Sequence, residues 1–336
     1  MKRKLPDGKL LGGKLFWGKL FGACLLAAAG TSAMAADTWP SRPITFVLPY
    51  QAGGGGDTAA RALAEDMSKA LGKPIIVENR PGASGIIGTN AVAKAQPDGY
   101  TVLLTLTQSV LNNRFLYSQL PYDPMKDLAF VTEVVTGTIL LTVSTNAPVH
   151  SVKDLIDWGR KNKLSAGNWG VGSYGHLAST YLGKTKKIDV VNVSYKGEAP
   201  MLQDLAGGSI NFAFSSLNST RPFIQSGKVR VLAVAGRHRL AALPDVPTLA
   251  EAGLTEPEYT VTGSMVMMVP AGTPAPIVAQ LEKEARTVIN SPRYRARMQV
   301  LGLEALGEGA KQARANYDAQ FPVQQRLVQM SGAKLD

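Results

Sequence analysis

Short apolar runs and helical patterns take turns along this chain. Ile44 to Leu48 is a dense apolar run that predicts a strand. Four glycines follow, Gly53 to Gly56, and a helical pattern then runs from Asp57 to about Leu71. Ile75 to Val77 predicts the next strand. A second glycine loop, Gly82 to Gly88, leads into a helix ending near Ala95. Pro97-Asp98-Gly99 turns the chain into a β-rich run from Tyr100 to Leu106, and Ile139 to Val143 is another. The rhythm restarts after Pro148. Val152 to Lys161 is helical, Leu164 to Trp169 extended, and Ser173 to Gly183 helical. A strand (Val190 to Val193), a helix (Pro200 to Ala206) and two more strands (Ile210 to Phe214, Val229 to Ala235) follow. Thr260 to Val269 is a long, methionine-rich extended run. Helices are expected at Ala275 to Ile289 and Arg293 to Leu301, with Pro292 marking the start of the second.

This alternation predicts an α/β protein with helices on both faces of doubly wound, mostly parallel sheets. Two such units make two lobes. The terminal helices have no strand partners of their own, so they are assigned back to the first lobe. The chain would then cross between lobes twice, near Leu141 and near Val261. The expected division is residues 38–140 plus 265–336 for lobe 1 and 141–264 for lobe 2. Two crossings make a hinge, and the cleft between the lobes is the expected ligand site.

The N-terminus follows a different pattern. Lys2, Arg3, Lys4, Lys9, Lys14 and Lys19 precede an apolar run of 11 residues, Leu20 to Gly30. Ala33-Met34-Ala35 fits the small-x-small rule of signal peptidase, so residues 1–35 read as a signal peptide and the mature chain as periplasmic. The run is shorter than the roughly 20 residues that a permanent span needs, which argues against a membrane anchor. A lipoprotein would use Cys24, but Phe21 is a poor residue three places upstream. The segment carries six basic residues and one acid, a net of +5, which leaves +6 of the total +11 for the mature chain. That surface is either an ordinary solvated one or one that steers anions weakly. Cys24 is the single cysteine, so the mature chain holds no disulfide, thiolate nucleophile or cysteine metal site. Aromatic residues make up 7% and Tyr294 is the one aromatic within the C-terminal basic stripe, so nucleic-acid binding is poorly supported.

Three glycine loops are the candidates for chemistry. The first, Pro49 to Asp57, joins a strand to a helix through four glycines, where unpaired N–H groups and the helix dipole favour an anion. It is not a P-loop, because no Gly-Lys-Ser/Thr follows. Asp57 is read as the helix cap, with Arg61 four residues on as its partner. The second loop, Gly82 to Gly88, is explained by close helix–strand approach. The third, Gly170-Val171-Gly172-Ser173-Tyr174-Gly175, matches G-x-G-x-x-G. A dinucleotide site there would need an acid at the end of the next strand, and Asp189 stands at its start. Anion capture by the N–H groups and the Ser173 hydroxyl is preferred, with a tight ligand-free loop as the plainer alternative. Lys196, in Tyr195-Lys196-Gly197, is a solvated turn lysine or a further anion partner.

A different class of function rests on Ser173 and His176, three residues apart: an exported serine hydrolase. The chain lacks a G-x-S-x-G elbow, and its three histidines show no metal-like spacing. A non-enzymatic binding role without cofactor or metal is therefore preferred.

At these loops the chain resembles a known family. Trp39 to Ile44 (WPSRPI), Pro49 to Arg61 (PYQAGGGGDTAAR), Val77 to Gly85 (VENRPGASG), Pro97 to Thr101 (PDGYT), Leu120 to Pro124 (LPYDP), Tyr195 to Gly197 (YKG), Leu243 to Gly253 (LPDVPTLAEAG) and Pro270 to Pro274 (PAGTP) stand in the order found in the periplasmic solute receptors of tripartite tricarboxylate transporters, the Bug family. The resemblance covers essentially the whole mature chain. It implies a two-lobed Venus-flytrap receptor that closes on a small organic carboxylate and hands it to a membrane permease or a sensor, and such a receptor is expected to be monomeric. Carried over by position, the ligand contacts would be Tyr50, Gln51, Ala52, Gly53, Gly54, Thr107, Gln108 and Ser109 from the first lobe. Gly172, Ser173, His176 and Ser216 would serve from the second.

Some positions depart from the family pattern. Asn168-Trp169 stands where small residues are usual, Ser215 where an aspartate is common, and Ser264 where a tryptophan is common. Trp169 is expected to reshape the pocket wall and to stack on a planar or aromatic ligand. The absent aspartate weakens the case for an amino-acid ligand.

Overall fold

The computed structural model describes Met1 and residues 39–236, 238–240, 242–261 and 263–335. The expected signal peptide, with Cys24, lies outside the described residues apart from Met1. Arg42–Asp336 forms one unit, and all that follows concerns it.

The elements run in chain order as β1 (Ile44–Leu48), α1 (Gly55–Leu71), β2 (Ile75–Asn79), a 3-10 turn (Ala83–Gly85), α2 (Ile86–Ala93), β3 (Thr101–Leu106), α3 (Thr107–Val110), α4 (Asn113–Leu116), β4 (Leu128–Gly137) and β5 (Ile139–Ser144). Then come α5 (Val152–Gly159), β6 (Leu164–Asn168), α6 (Tyr174–Lys186), β7 (Val190–Ser194), α7 (Glu198–Gly207), β8 (Phe212–Ser216), α8 (Leu217–Gln225) and β9 (Val229–Ala235). The chain ends with β10 (Ser264–Pro270), α9 (Ala275–Ile289), α10 (Pro292–Val300), β11 (Leu303–Gly309) and α11 (Ala310–Ser331).

Two sheets result, in the orders β11-β4-β10-β3-β1-β2 and β7-β6-β8-β5-β9. β1 lies between β2 and β3, parallel to both, and Phe46 pairs with Val77 on one side and Val102 on the other. Helices cover both faces of such a strand, so its side chains are buried in either direction. The sheets are mixed, with most strands of each sharing one direction. β10 runs antiparallel to β3 and β4 on either side of it, β11 runs antiparallel to β4, and β5 runs antiparallel to β8 and β9 in the second sheet. A strand that enters from the other sheet arrives at the opposite end, and this reverses its direction. β4 passes into β5 through the single residue Thr138, and the chain rejoins the first sheet at β10.

The terminal helices are not without strands, as the sequence pattern suggested. β11 forms the edge beside β4, and α9 and α10 pack around it. α11 packs on β4 and also on α6 of the second sheet. Val323, Leu327 and Val328 of α11 belong to the core of the second lobe, together with Phe214, Leu177 and Tyr259. Tyr317 donates to the carbonyl of Val110 on the first-lobe side. The C-terminal helix thus bridges the two lobes.

One polar cluster is buried where these strands meet. Ser264 donates to Glu133 at 2.7 Å, and the Asn316 amide donates to both Glu133 and Glu308. Burial pushes the Glu133 carboxyl above the usual carboxylate range, and the neighbouring Glu308 charge pushes it the same way. The bonds from Ser264 and Asn316 oppose the rise. Ser264, where a tryptophan was expected, is therefore a buried donor beside the second crossover.

Candidate functional site

Each lobe offers a helix that starts straight after a strand, and each start is built differently. In the first lobe, Gly53 adopts φ +91°, which only glycine tolerates without strain. Its N–H donates to the Asp57 carboxylate at 3.0 Å, and Arg61 and Asn79 donate to the same group. Asp57 is thus the third residue of α1 and reaches back to the loop, rather than standing at the cap position, which Gly54 holds. Its burial raises the carboxyl pKa, but the bonds from Arg61, Gly53 and Asn79 outweigh this and hold it at about 2. Gln51, Ala52, Gly53 and Gly54 are exposed at the tip.

A sign follows for pH. The folded carboxyl titrates at about 2, below the ordinary value of about 3.9. Its contribution is complete above about pH 4 and is lost as pH falls toward 2. Asp57→Asn should lose about 1 kcal/mol at pH 7, discounted because Arg61 is half exposed, and the gap should narrow below about pH 4 and close as pH falls through about 2. Urea midpoints at both pH values test this; a pH-independent gap would contradict it.

Tyr50 roots the loop. Its hydroxyl meets Ser109 Oγ at 2.7 Å and Thr105 Oγ1 at 3.1 Å, and accepts the Leu106 N–H at 3.1 Å. Ser109 uses its own hydrogen on the carbonyl of Ser84, so Tyr50 is the donor to Ser109. Burial raises the Tyr50 phenol above its ordinary range, against the pull of these bonds. Both hydroxyls therefore serve the scaffold. Thr107 is buried with an unpartnered hydroxyl, and Gln108 beside it faces open space.

In the second lobe, Asn168 anchors the loop by accepting the N–H of Gly170 and the Ser194 hydroxyl. Ser173 caps α6 by accepting the His176 N–H at 3.3 Å. The Gly172 N–H donates to His176 Nδ1, and the Ser173 N–H closes a turn onto Gly170. Burial lowers the His176 pKa, which keeps Nδ1 free to accept. The imidazole is engaged with Gly172, and it is the backbone N–H of His176 that meets Ser173 Oγ. This is a helix cap rather than a nucleophile and its base. The remaining donors at this helix start are the Ser173 hydroxyl and the N–H groups of Tyr174 and Gly175. Gly172 has φ +77°, and a Cβ there would strike Leu116 of α4. Ser216 caps α8, and its N–H and hydroxyl both donate to the carboxylate of Glu198. Ser215 is buried and bonded to Thr142 and Thr220.

Between these starts lies a cavity of about 170 Å³. Leu106, Val135, Met265 and Leu303 line it from the first lobe, and Ile139, Trp169 and Tyr174 from the second. Gln108 and Trp169 are the predicted residues that reach its wall. The glycine loops border it instead. A Cβ on Gly56 would touch Met265 and one on Gly55 would approach Leu303, so the first turn of α1 lies behind that wall. Tyr174, the first residue of α6, forms part of the opposite wall. The Trp169 ring lies over Gly175, where a Cβ would come within 2.9 Å of it. Sequence reasoning gave no bonding role to Glu198, Asn168 or Asn79, each of which meets a partner distant in the chain: Ser216, Ser194 and Asp57. Among the described residues no cluster of three histidine, cysteine or acidic side chains could hold a metal, and no helix is long and apolar enough to cross a membrane.

Comparison with known proteins agrees with this fold. Residues 59–332 match the model of the tripartite tricarboxylate transporter family receptor. A protein from the tcbD–tcbE intergenic region of Pseudomonas sp. (strain P51) is 35% identical over 288 residues, 85% of each chain. An R. palustris protein solved with adipate shares 32% identity at a TM-score of 0.77, covering 88% of this chain and all of its own. MatC from Rhodopseudomonas palustris, with bound malate, shares 28% at a TM-score of 0.72, covering 86% of this chain and all of its own. The chain belongs to the tripartite tricarboxylate transporter receptor family, whose members are solute-binding receptors and not enzymes.

Proposed function

We propose that this chain is a periplasmic receptor, exported by a signal peptide over residues 1–35, that captures a small organic carboxylate. It passes the ligand to the permease of a tripartite tricarboxylate-type transporter or to a sensor, and it works as a monomer without cofactor, metal or nucleic acid. The observation that carries the reading is the mainly apolar cavity between two helix starts, one from each lobe. The carboxylate is placed between the exposed tip at Gln51–Gly54 and the Ser173 hydroxyl, with Gln108 as a further donor. The body of the ligand fills the cavity. At about 170 Å³ it compares with the ~150 Å³ that holds benzene in an engineered apolar site, so it suits one small ring or a short chain. The adipate and malate held by similar proteins support a carboxylate as ligand.

A melting screen over mono-, di- and tricarboxylates, aromatic ones included, tests the proposal. A true ligand at 100 times its dissociation constant should add about 2.7 kcal/mol to stability. No shift with any carboxylate, or turnover of esters that vanishes in Ser173→Ala, would sink it. Trp169→Ala should weaken aromatic carboxylates about tenfold relative to aliphatic ones, the loss of one ring–ring contact. Calorimetry on both ligand classes reads this, and equal losses would remove Trp169 from the ligand contacts.

A further inference from the structure

The second lobe already holds a carboxylate of its own beside the cavity. β6, β7 and β8 are mutually parallel, and Asn168 pairs with Ser194 while Gly167 pairs with Ala213. Their carboxyl ends therefore lie along one edge of the sheet. Trp169, the turn before Glu198, and Ser216 all stand on that edge. Glu198 spans the gap from β7 to β8. Its Oε1 accepts the Ser216 N–H at 2.7 Å and its Oε2 accepts the Ser216 hydroxyl. Ser216 is also the register partner of Ile139, a wall residue of the cavity. The next N–H, that of Leu217, donates to the carbonyl of Thr138 at the first crossover. The Glu198–Ser216 pair thus sits at the second-lobe end of that wall.

This arrangement bears on charge. The start of α8 is a place where an anion is favoured, and Glu198 fills it. Among the described residues no lysine or arginine forms an ion pair with Glu198, and none lines the cavity. A ligand with one carboxylate finds donors at the starts of α1 and α6 and an apolar bed for its body. A ligand with a second carboxylate at its far end finds that bed, no lysine or arginine among the described residues that line it, and a resident negative charge.

We propose that Glu198, held on Ser216 at the end of the apolar cavity, makes this receptor select monocarboxylates with an apolar body over dicarboxylates. The inference rests on the carboxylate-receptor reading above and names the charge class of its ligand.

The test uses the mature chain and two matched pairs, hexanoate with adipate and benzoate with terephthalate, measured by calorimetry on the parent, Glu198→Gln and Glu198→Ser. The parent should bind the monocarboxylate of at least one pair about tenfold or more tighter than its partner, because like charges brought together are costly. Both variants should bind the dicarboxylate about tenfold tighter than the parent does, with the monocarboxylate changed less than about threefold. Glu198→Gln keeps an acceptor for the Ser216 N–H, so it reads the charge alone if Glu198→Ser melts poorly. Equal or tighter binding of dicarboxylates by the parent overturns the selection while leaving the receptor reading intact. A preference that persists unchanged in Glu198→Gln overturns the role of Glu198. Binding of none of the four acids by the parent, when another carboxylate shifts its melting, overturns this inference alone; no shift with any carboxylate overturns the receptor reading as well.

Discussion

Gly88→Ala should cost the protein about 3 kcal/mol and weaken ligand binding along with it. In most helices alanine is the better residue by nearly 1 kcal/mol, so the usual expectation is a gain. Here the new methyl would stand 2.7 Å from Pro49 Cβ, 2.8 Å from the carbonyl oxygen of Arg80 and 3.0 Å from Pro49 Cα. A proline ring and two stretches of backbone cannot rotate away as a flexible side chain would. Either α2 lifts off the sheet or Pro49 shifts, and Pro49 leads directly into Tyr50 and the first glycine loop. Gly207→Ala is the control. Gly207 closes α7 without left-handed geometry, and a Cβ there meets nothing within 4 Å, so stability should hold or rise slightly. Urea midpoints for the two variants should move in opposite directions, and a neutral Gly88→Ala would mean that the packing beneath the loop is looser than described.

Glu133→Gln should stabilise the protein by about 2 kcal/mol at pH 8, with the advantage fading toward pH 4. Burial and the Glu308 charge raise the Glu133 carboxyl pKa in the fold. Such a group favours the folded state below its ordinary pKa of about 4.3, and this benefit is lost as pH rises through the raised value. Glutamine keeps acceptor and donor atoms for Asn316 and Ser264 while removing the ionisation. Melting temperatures of parent and variant from pH 4 to pH 8 decide the matter. Parallel curves would show that Glu133 carries no pH-dependent cost. Because Ser264 and Glu133 flank the crossovers, the same variant reports whether ionisation there disturbs ligand affinity.

Much of the architecture was legible in the pattern of the chain. Strands such as Ile44–Leu48 and helices such as Gly55–Leu71 announce themselves because burial on one or two faces imposes a period. β4 and β11 did not. β4 carries Glu133 within its apolar run, and β11, LEALGEG, is an edge strand with two glycines that reads as a loop. α11 contains Pro322 and spreads its apolar residues over two partners, which blurs its periodicity. Strand direction was also hidden, since periodicity is the same in parallel and antiparallel ladders. At the site, the glycine loops were readable because left-handed backbone at Gly53 and Gly172 demands glycine. The Glu198–Ser216 pair was not, because its partners stand 18 residues apart on separate loops. Nor was it visible that Tyr50 and Ser109 turn their hydroxyls inward.

α11 follows every described strand in the chain, yet it is the piece that grips both lobes. Its 22 residues span about 33 Å, and along it Asn316 meets Glu133 while the Met330 carbonyl accepts from Lys184 of α6. Every described strand precedes this brace in the chain, so both sheets can form before it docks. Until it docks, the two crossovers and a contact such as Arg221 on the Val300 carbonyl join the sheets, and the apolar face that Val323, Leu327 and Val328 cover stands open to other molecules. Docking of this one helix is therefore the step that hides the remaining apolar surface of the second lobe from other molecules, whichever sheet forms first.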